Sequence, residues 1–125
     1  MPLDEKKYLQ IDKIQSSFID QMVYRFSKLQ DTMGESIFRG VLILGKEEVK
    51  TKTFIDILNR IEELEIVQKD DWLRLRELRN DIAHDYSFNT NEVVDNINQI
   101  YHKSEQLIKI YEKVKNFVEK RFKLR

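Results

Sequence analysis

Apolar residues recur along most of this chain with the period of an α-helix and not with the alternation of a strand. Ile11, Ile14, Phe18, Met22, Phe26, Leu29 and Met33 are separated by steps of three and four, so they form one stripe. The stripe predicts a first helix from about Asp4 to Met33, closed by Gly34 as its C-cap. Ile37, Val41 and Leu44 share a face of a short second helix, Glu35 to Leu44, which contains Gly40 and stops at Gly45. The polar stretch from Gly45 to Thr51 reads as the most mobile internal loop. A third helix is expected from about Lys52 to Glu65, with Phe54, Leu58 and Ile61 on one face. A fourth should run from Trp72 to about His84. Asp70 or Asp71 would cap it by accepting the free backbone N–H groups of its first turn.

Ser87 to Thr90 is a polar turn, and Asn89 with Glu92 has the spacing of a capping box. The last helix, about Thr90 to Phe122, carries Val93, Ile97, Ile100, Ser104, Leu107, Tyr111, Val114 and Val118. These alternate steps of four and three, a seam interrupted only by Ser104. At about 1.5 Å per residue this helix is on the order of 50 Å long, enough for its end to project or to meet a partner chain. One proline, at position 2, and three glycines leave few helix breakers. The expectation is an all-α protein: an antiparallel bundle of four to five helices with a long C-terminal helix.

At 125 residues the chain is long enough for one domain, residues 1–125, with its own core. Lys and Arg number 22 and Asp and Glu 22, so the net charge is zero. That balance argues against a protein that holds nucleic acid by bulk electrostatics, though not against a small phosphate site. With no cysteine there is no disulfide framework and no thiolate metal site. No apolar run approaches the roughly 18 residues of a membrane span. The opening Met1-Pro2-Leu3-Asp4-Glu5-Lys6-Lys7 has no signal-peptide core, so a cytoplasmic location is expected.

The stretch Arg79-Asn80-Asp81-Ile82-Ala83-His84-Asp85-Tyr86 carries the candidate chemistry, and His84 is one of only two histidines. Arginine offers phosphate a planar fork of donors, and histidine moves protons near neutral pH. Leu75, Leu78 and Ile82 form the buried stripe of the fourth helix. Arg79 then falls at its edge, about 40° from Leu75 and 60° from Ile82. A bland reading has Arg79 snorkel to water or pair with a carboxylate. His84 would be an exposed residue at a helix C-terminus, where positive charge is favoured, and Tyr86 a packing aromatic. Asn80 and His84 are i, i+4 neighbours, whereas His84 lies about 140° round the helix from Arg79. The arginine's length, a helix end near Ala83, or a second copy across a two-fold axis would bring the two together. Asp81 and Asp85 flank His84, but two aspartates at this spacing are ordinary on a solvated helix, and no metal or cofactor is expected.

This stretch resembles the Arg-x4-His-x-Tyr motif of HEPN-domain proteins, specifically the HepT-like toxins of HEPN/MNT toxin–antitoxin pairs. Asn80 matches the polar residue that follows the arginine in that family. Phe26-Ser27-Lys28-Leu29-Gln30-Asp31-Thr32-Met33-Gly34 and Leu75-Arg76-Glu77-Leu78-Arg79-Asn80 also look like a HEPN subgroup. The resemblance implies a helical bundle that forms a homodimer with two motif copies in one cleft. It further implies a metal-independent endoribonuclease acting on an RNA substrate. His84 would then serve in acid–base transfer, Arg79 would hold the scissile phosphate, and Asn80 would orient the cleft. Tyr86 would match the tyrosine adenylylated by an MNT-type nucleotidyltransferase antitoxin. The alternative is a non-catalytic HEPN partner or accessory subunit of a nucleotidyltransferase.

Overall fold

The computed structural model describes residues 3–10, 12–84 and 90–122, and of residues 83, 84 and 90–92 the backbone course alone. Among the described residues the chain is helical, with no strand. The helices are α1 (Glu5–Leu9), α2 (Lys13–Thr32), α3 (Phe38–Leu44), α4 (Phe54–Glu63), α5 (Lys69–His84) and α6 (Thr90–Phe122). A π-helical turn, Met33–Ile37, joins α2 to α3 without a break. The all-α bundle with a long final helix is therefore what the apolar spacing expects, while several boundaries differ.

The first helix is two. Asp4 accepts the Lys7 N–H and caps α1. Asp12 then accepts the Gln15 N–H while the Gln15 side chain accepts from the Asp12 N–H, and this capping box starts α2 afresh. Ile11, counted in the first stripe, lies outside the described residues. Gly34 does not cap a helix. It sits inside the π turn with a negative φ, and a Cβ there would lie 3.4 Å from Trp72 Cζ2 and 3.6 Å from Phe54 Cε1. Those are ordinary van der Waals distances, so the position is close-packed without being closed to a Cβ, and no left-handed turn calls for the glycine.

Thr53 and Asp56 form a second capping box, which sets the start of α4 two residues later than the apolar pattern indicates. The helix ends at Glu63, and Glu65 turns the chain with a φ of 62°. Asp70 and Asp71 do not precede α5. The helix begins at Lys69, both aspartates lie in its first turn, and Glu62 of α4 accepts the Lys69 N–H at 2.7 Å. Carboxylates in a first turn still favour the positive end of the helix dipole. The loop expected to be mobile is tied down: Arg39 donates to the carbonyls of Val49 and Lys52, and Arg60 pairs with Glu47 at 2.9 Å. The Asn89–Glu92 box and the Ser87–Thr90 turn lie outside the residues whose side chains are described.

α2, α5 and α6 pack against one another and form the bundle's centre, with α1 on α6, α3 on α4 and α6, and α4 on α5. Trp72 is fully buried and meets Phe38 edge-on, with ring centroids 4.7 Å apart. Leu75, Leu78 and Ile82 continue this core along α5. On α6, Val93, Ile97, Ile100, Leu107 and Val114 are buried as the seam requires, whereas Tyr111 is exposed and Val94 and Ile110 are buried instead. Contact with neighbours on two sides widens the buried stripe beyond a two-helix seam. Ser104 satisfies itself by donating to the Ile100 carbonyl at 2.6 Å. No helix among the described residues is long and apolar enough to cross a membrane.

Candidate functional site

α5 carries the motif. Its buried edge, Leu75, Leu78 and Ile82, fixes the rotation of the helix. Arg79 is left at the margin of that edge, half-buried, and Asn80 is exposed beside it. Arg79 does not run free to water. It grips Asp31 near the end of α2 side-on, with Nε donating to Oδ1 and Nη2 to Oδ2, both at 2.9 Å. The Arg79 side chain keeps 27% of its exposure and Asp31 34%. Two parallel charge-assisted bonds lock the plane of the guanidinium. The hydrogen bond to Asp31 raises the Arg79 pKa above its ordinary value, burial opposes this, and the charges of Asp31 and of Glu35, one turn further along, add to the rise. The pairing with a carboxylate is one of the outcomes that helix geometry alone allows for Arg79.

Side-on pairing has a chemical consequence. It uses Nε and one N–H of Nη2, which leaves the end-on edge of the guanidinium outside the pair. That edge is a second fork able to meet a phosphate. His84 is helical and closes α5, five residues beyond Arg79. An α-helical backbone keeps these two positions about 140° apart, so a single straight α5 does not bring them to one face. The side chain of His84 and all of Tyr86 lie outside the described residues, and so does Asp85. No group of three His, Cys, Asp or Glu side chains among the described residues has a geometry able to hold a metal.

Beside Asp31 the surface opens into a cleft of about 220 Å³ between the π turn and α4 and α5. Gln30, Asp31, Gly34, Glu35 and Arg39, all from the continuous run of α2, the π turn and α3, line it together with Phe54 of α4 and Arg76 of α5. The Arg76 guanidinium stacks 4.4 Å above the Phe54 ring. Arg76 and Arg79 are i, i+3 neighbours on α5, so the cleft and the motif arginine are adjoining parts of one surface. Beneath Gly34 lies the Trp72 indole, whose buried Nε1–H has no hydrogen-bond partner.

The motif search picks out Arg79 and Asn80 and misses Asp31, Arg39, Phe54 and Arg76. Asp31 is separated from Arg79 by 48 positions, and no local spacing links them. Phe54 reads as a plain member of an apolar face. The better hint is the unusual company of Gly34 with Asp31 and Glu35 at a point where the first stripe ends. A separate apolar groove of about 300 Å³ lies between α2 and α6, lined by Phe18, Met22, Leu29 and Ile108 among others. It is remote from the motif, because Leu29 and Asp31 are about 160° apart round α2. Comparison of the chain with protein-family models, curated proteins and solved structures finds no match.

Proposed function

We propose that this chain is a metal-independent endoribonuclease of the HEPN type, the toxin of a HEPN/MNT pair, working as a homodimer in the cytoplasm. The observation that carries the reading is the state of Arg79: part-exposed, fixed in plane by Asp31, with its end-on edge outside that pair and Asn80 exposed next to it. A preorganised guanidinium is what a developing phosphorane charge needs, since it stabilises that charge without reorganising at the moment of reaction.

In this reading His84 accepts the proton of a ribose 2′-OH, and the resulting oxygen attacks the adjacent phosphorus. The 5′-oxygen leaves with a proton supplied by an acid, and a 2′,3′-cyclic phosphate remains. The acid is the second His84 in a two-fold cleft, where the 140° separation within each α5 need not be closed by one chain. Asn80 orients the cleft through its i, i+4 relation to His84. Tyr86, next to this site in sequence, is the residue an MNT-type nucleotidyltransferase would adenylylate, adding charge and bulk where RNA must enter.

The test is cleavage of RNA by the purified chain in the presence of EDTA. The expected result is cleavage by the unaltered protein and a loss of at least about a hundredfold in Arg79→Ala and His84→Ala, the scale of removing an acid–base group or an oxyanion donor. Equal cleavage by both variants would overturn the assignment of the pair.

The same Asp31 contact favours a second reading, in which the chain is a non-catalytic HEPN partner of a nucleotidyltransferase. Both Asp31 oxygens already engage Arg79, as in a purely architectural ion pair. This reading expects a stable complex with the transferase and no RNA cleavage by the isolated chain.

A further inference from the structure

The cleft beside Asp31 holds a set of groups that the proposed reaction does not use. Arg39 spends two of its five N–H groups on the carbonyls of Val49 and Lys52, at 3.0 and 3.2 Å, which fixes the guanidinium at the cleft wall with further donors to offer. The guanidinium carbon of Arg76 sits over the Phe54 ring, 4.4 Å from its centroid, so an aromatic backs this cation. Arg76 is exposed on α5. Arg79 neutralises Asp31 across the way. Arg39, one turn beyond Glu35 on the same helical run, and Arg76 of α5 therefore border the cleft together with the Glu35 carboxylate.

The cleft volume, about 220 Å³, falls below the roughly 300 Å³ at which sites for whole small molecules begin. It suits one planar ring with a charged group beside it. An arginine plane backed by an aromatic is a stacking platform for a base, and fixed arginine donors suit a phosphate. We infer that this cleft is a subsite for one nucleotide of single-stranded RNA flanking the scissile phosphate, its base stacked on Arg76 over Phe54 and its phosphate held by Arg39. Glu35 repels phosphate, so it faces the base or sugar and accepts from an amino or hydroxyl group. The inference rests on the ribonuclease reading for the identity of the nucleic acid, and it adds where the strand runs: from Arg79 along α5 toward α4.

The experiment measures retention of a short labelled single-stranded RNA on filters by full-length His84→Ala protein, so that the RNA stays intact. Phe54→Ala and Arg76→Gln in that background are each expected to weaken binding about tenfold, the effect of losing one stacked base, with helical circular dichroism unchanged. Arg76→Lys, which keeps the charge but not the plane, is expected to stay weak. Full binding by Arg76→Gln, an exposed position where folding is not at stake, would overturn the subsite, as would full recovery by Arg76→Lys. Cleavage by the protein with native His84 is measured in parallel. RNA bound in a Phe54-dependent way but not cleaved leaves the subsite standing and removes the nuclease reading. RNA cleaved with an unchanged KM in Arg76→Gln does the reverse, and absence of both binding and cleavage overturns both.

Discussion

Arg79 meets Asp31 across 48 positions of sequence through two 2.9 Å hydrogen bonds. Each group is about one-third exposed, so solvent screens the pair and its net worth is modest, on the order of 1 kcal/mol. Asp31→Asn is accordingly expected to lower stability in urea by about that amount, with an unchanged m-value. On the proposed ribonuclease reading its effect on RNA cleavage should be larger, and should fall on kcat more than on KM, because a guanidinium no longer held in plane must reorganise in the transition state. An equal loss in both constants, or in neither, would argue that Asp31 only holds α2 to α5. Arg79→Lys is not expected to substitute, since an ammonium cannot make the side-on pair of parallel hydrogen bonds. At this scale the sequence reveals the residue types but not their partners. Arg79 and Asn80 are recognisable from local spacing and helix rotation. Asp31 and Phe54 become site residues only when the bundle brings α2 and α4 against α5.

The helices themselves respond to caps more than to apolar periodicity. Asp12 restarts the chain as α2 within a stripe that reads as continuous, its carboxylate accepting the Gln15 N–H that a helix start leaves free. Asp12→Ala is expected to cost about 1 kcal/mol, visible as a lower thermal midpoint. Gly40 shows the opposite case: it lies within α3, and a Cβ there would meet nothing within 4 Å. Gly40→Ala should raise stability by about 0.5–1 kcal/mol, the helix-propensity difference, and a fall in thermal midpoint would contradict the open space at this position.

Asp56 gives a pH dependence whose sign follows from its cap. The Thr53 backbone N–H, and then its hydroxyl, hold the Asp56 carboxyl below its ordinary pKa. A carboxylate depressed in the folded state stabilises the protein above its unfolded pKa, and this contribution disappears as the pH falls through the lower, folded value. Acid unfolding should therefore begin to draw on the α4 cap just below the normal carboxylate range, and Asp56→Asn should flatten stability against pH in that window. The apolar spacing locates all the main helices and the long α6. The π turn escapes it, since i, i+5 bonding leaves the spacing of apolar positions nearly intact while shifting the register by one residue.

On the scale of the molecule, three helices share one core, and two surfaces stand apart from it. The motif side of α5 is polar and arginine-bearing. The α2–α6 side exposes Ile14, Phe18 and Ile108 at 69%, 67% and 49%. The bundle class is readable from the near absence of proline and the long apolar stripes. The division of the surface is not, because the residues of one stripe separate into core and surface only according to which neighbours reach them: Phe26 and Phe18 belong to one stripe, and only the first is covered. The fully buried Trp72 lies at the meeting point of α3, α5 and the π turn, directly beneath Gly34 at the edge of the arginine cleft. It is also the protein's single tryptophan. The intrinsic emission of the chain therefore has one source, which should fluoresce at short wavelength when folded and shift red as the core opens. A nucleotide entering the cleft would change the surroundings of that indole, so an unlabelled titration would report occupancy of the cleft and integrity of the core through the same chromophore.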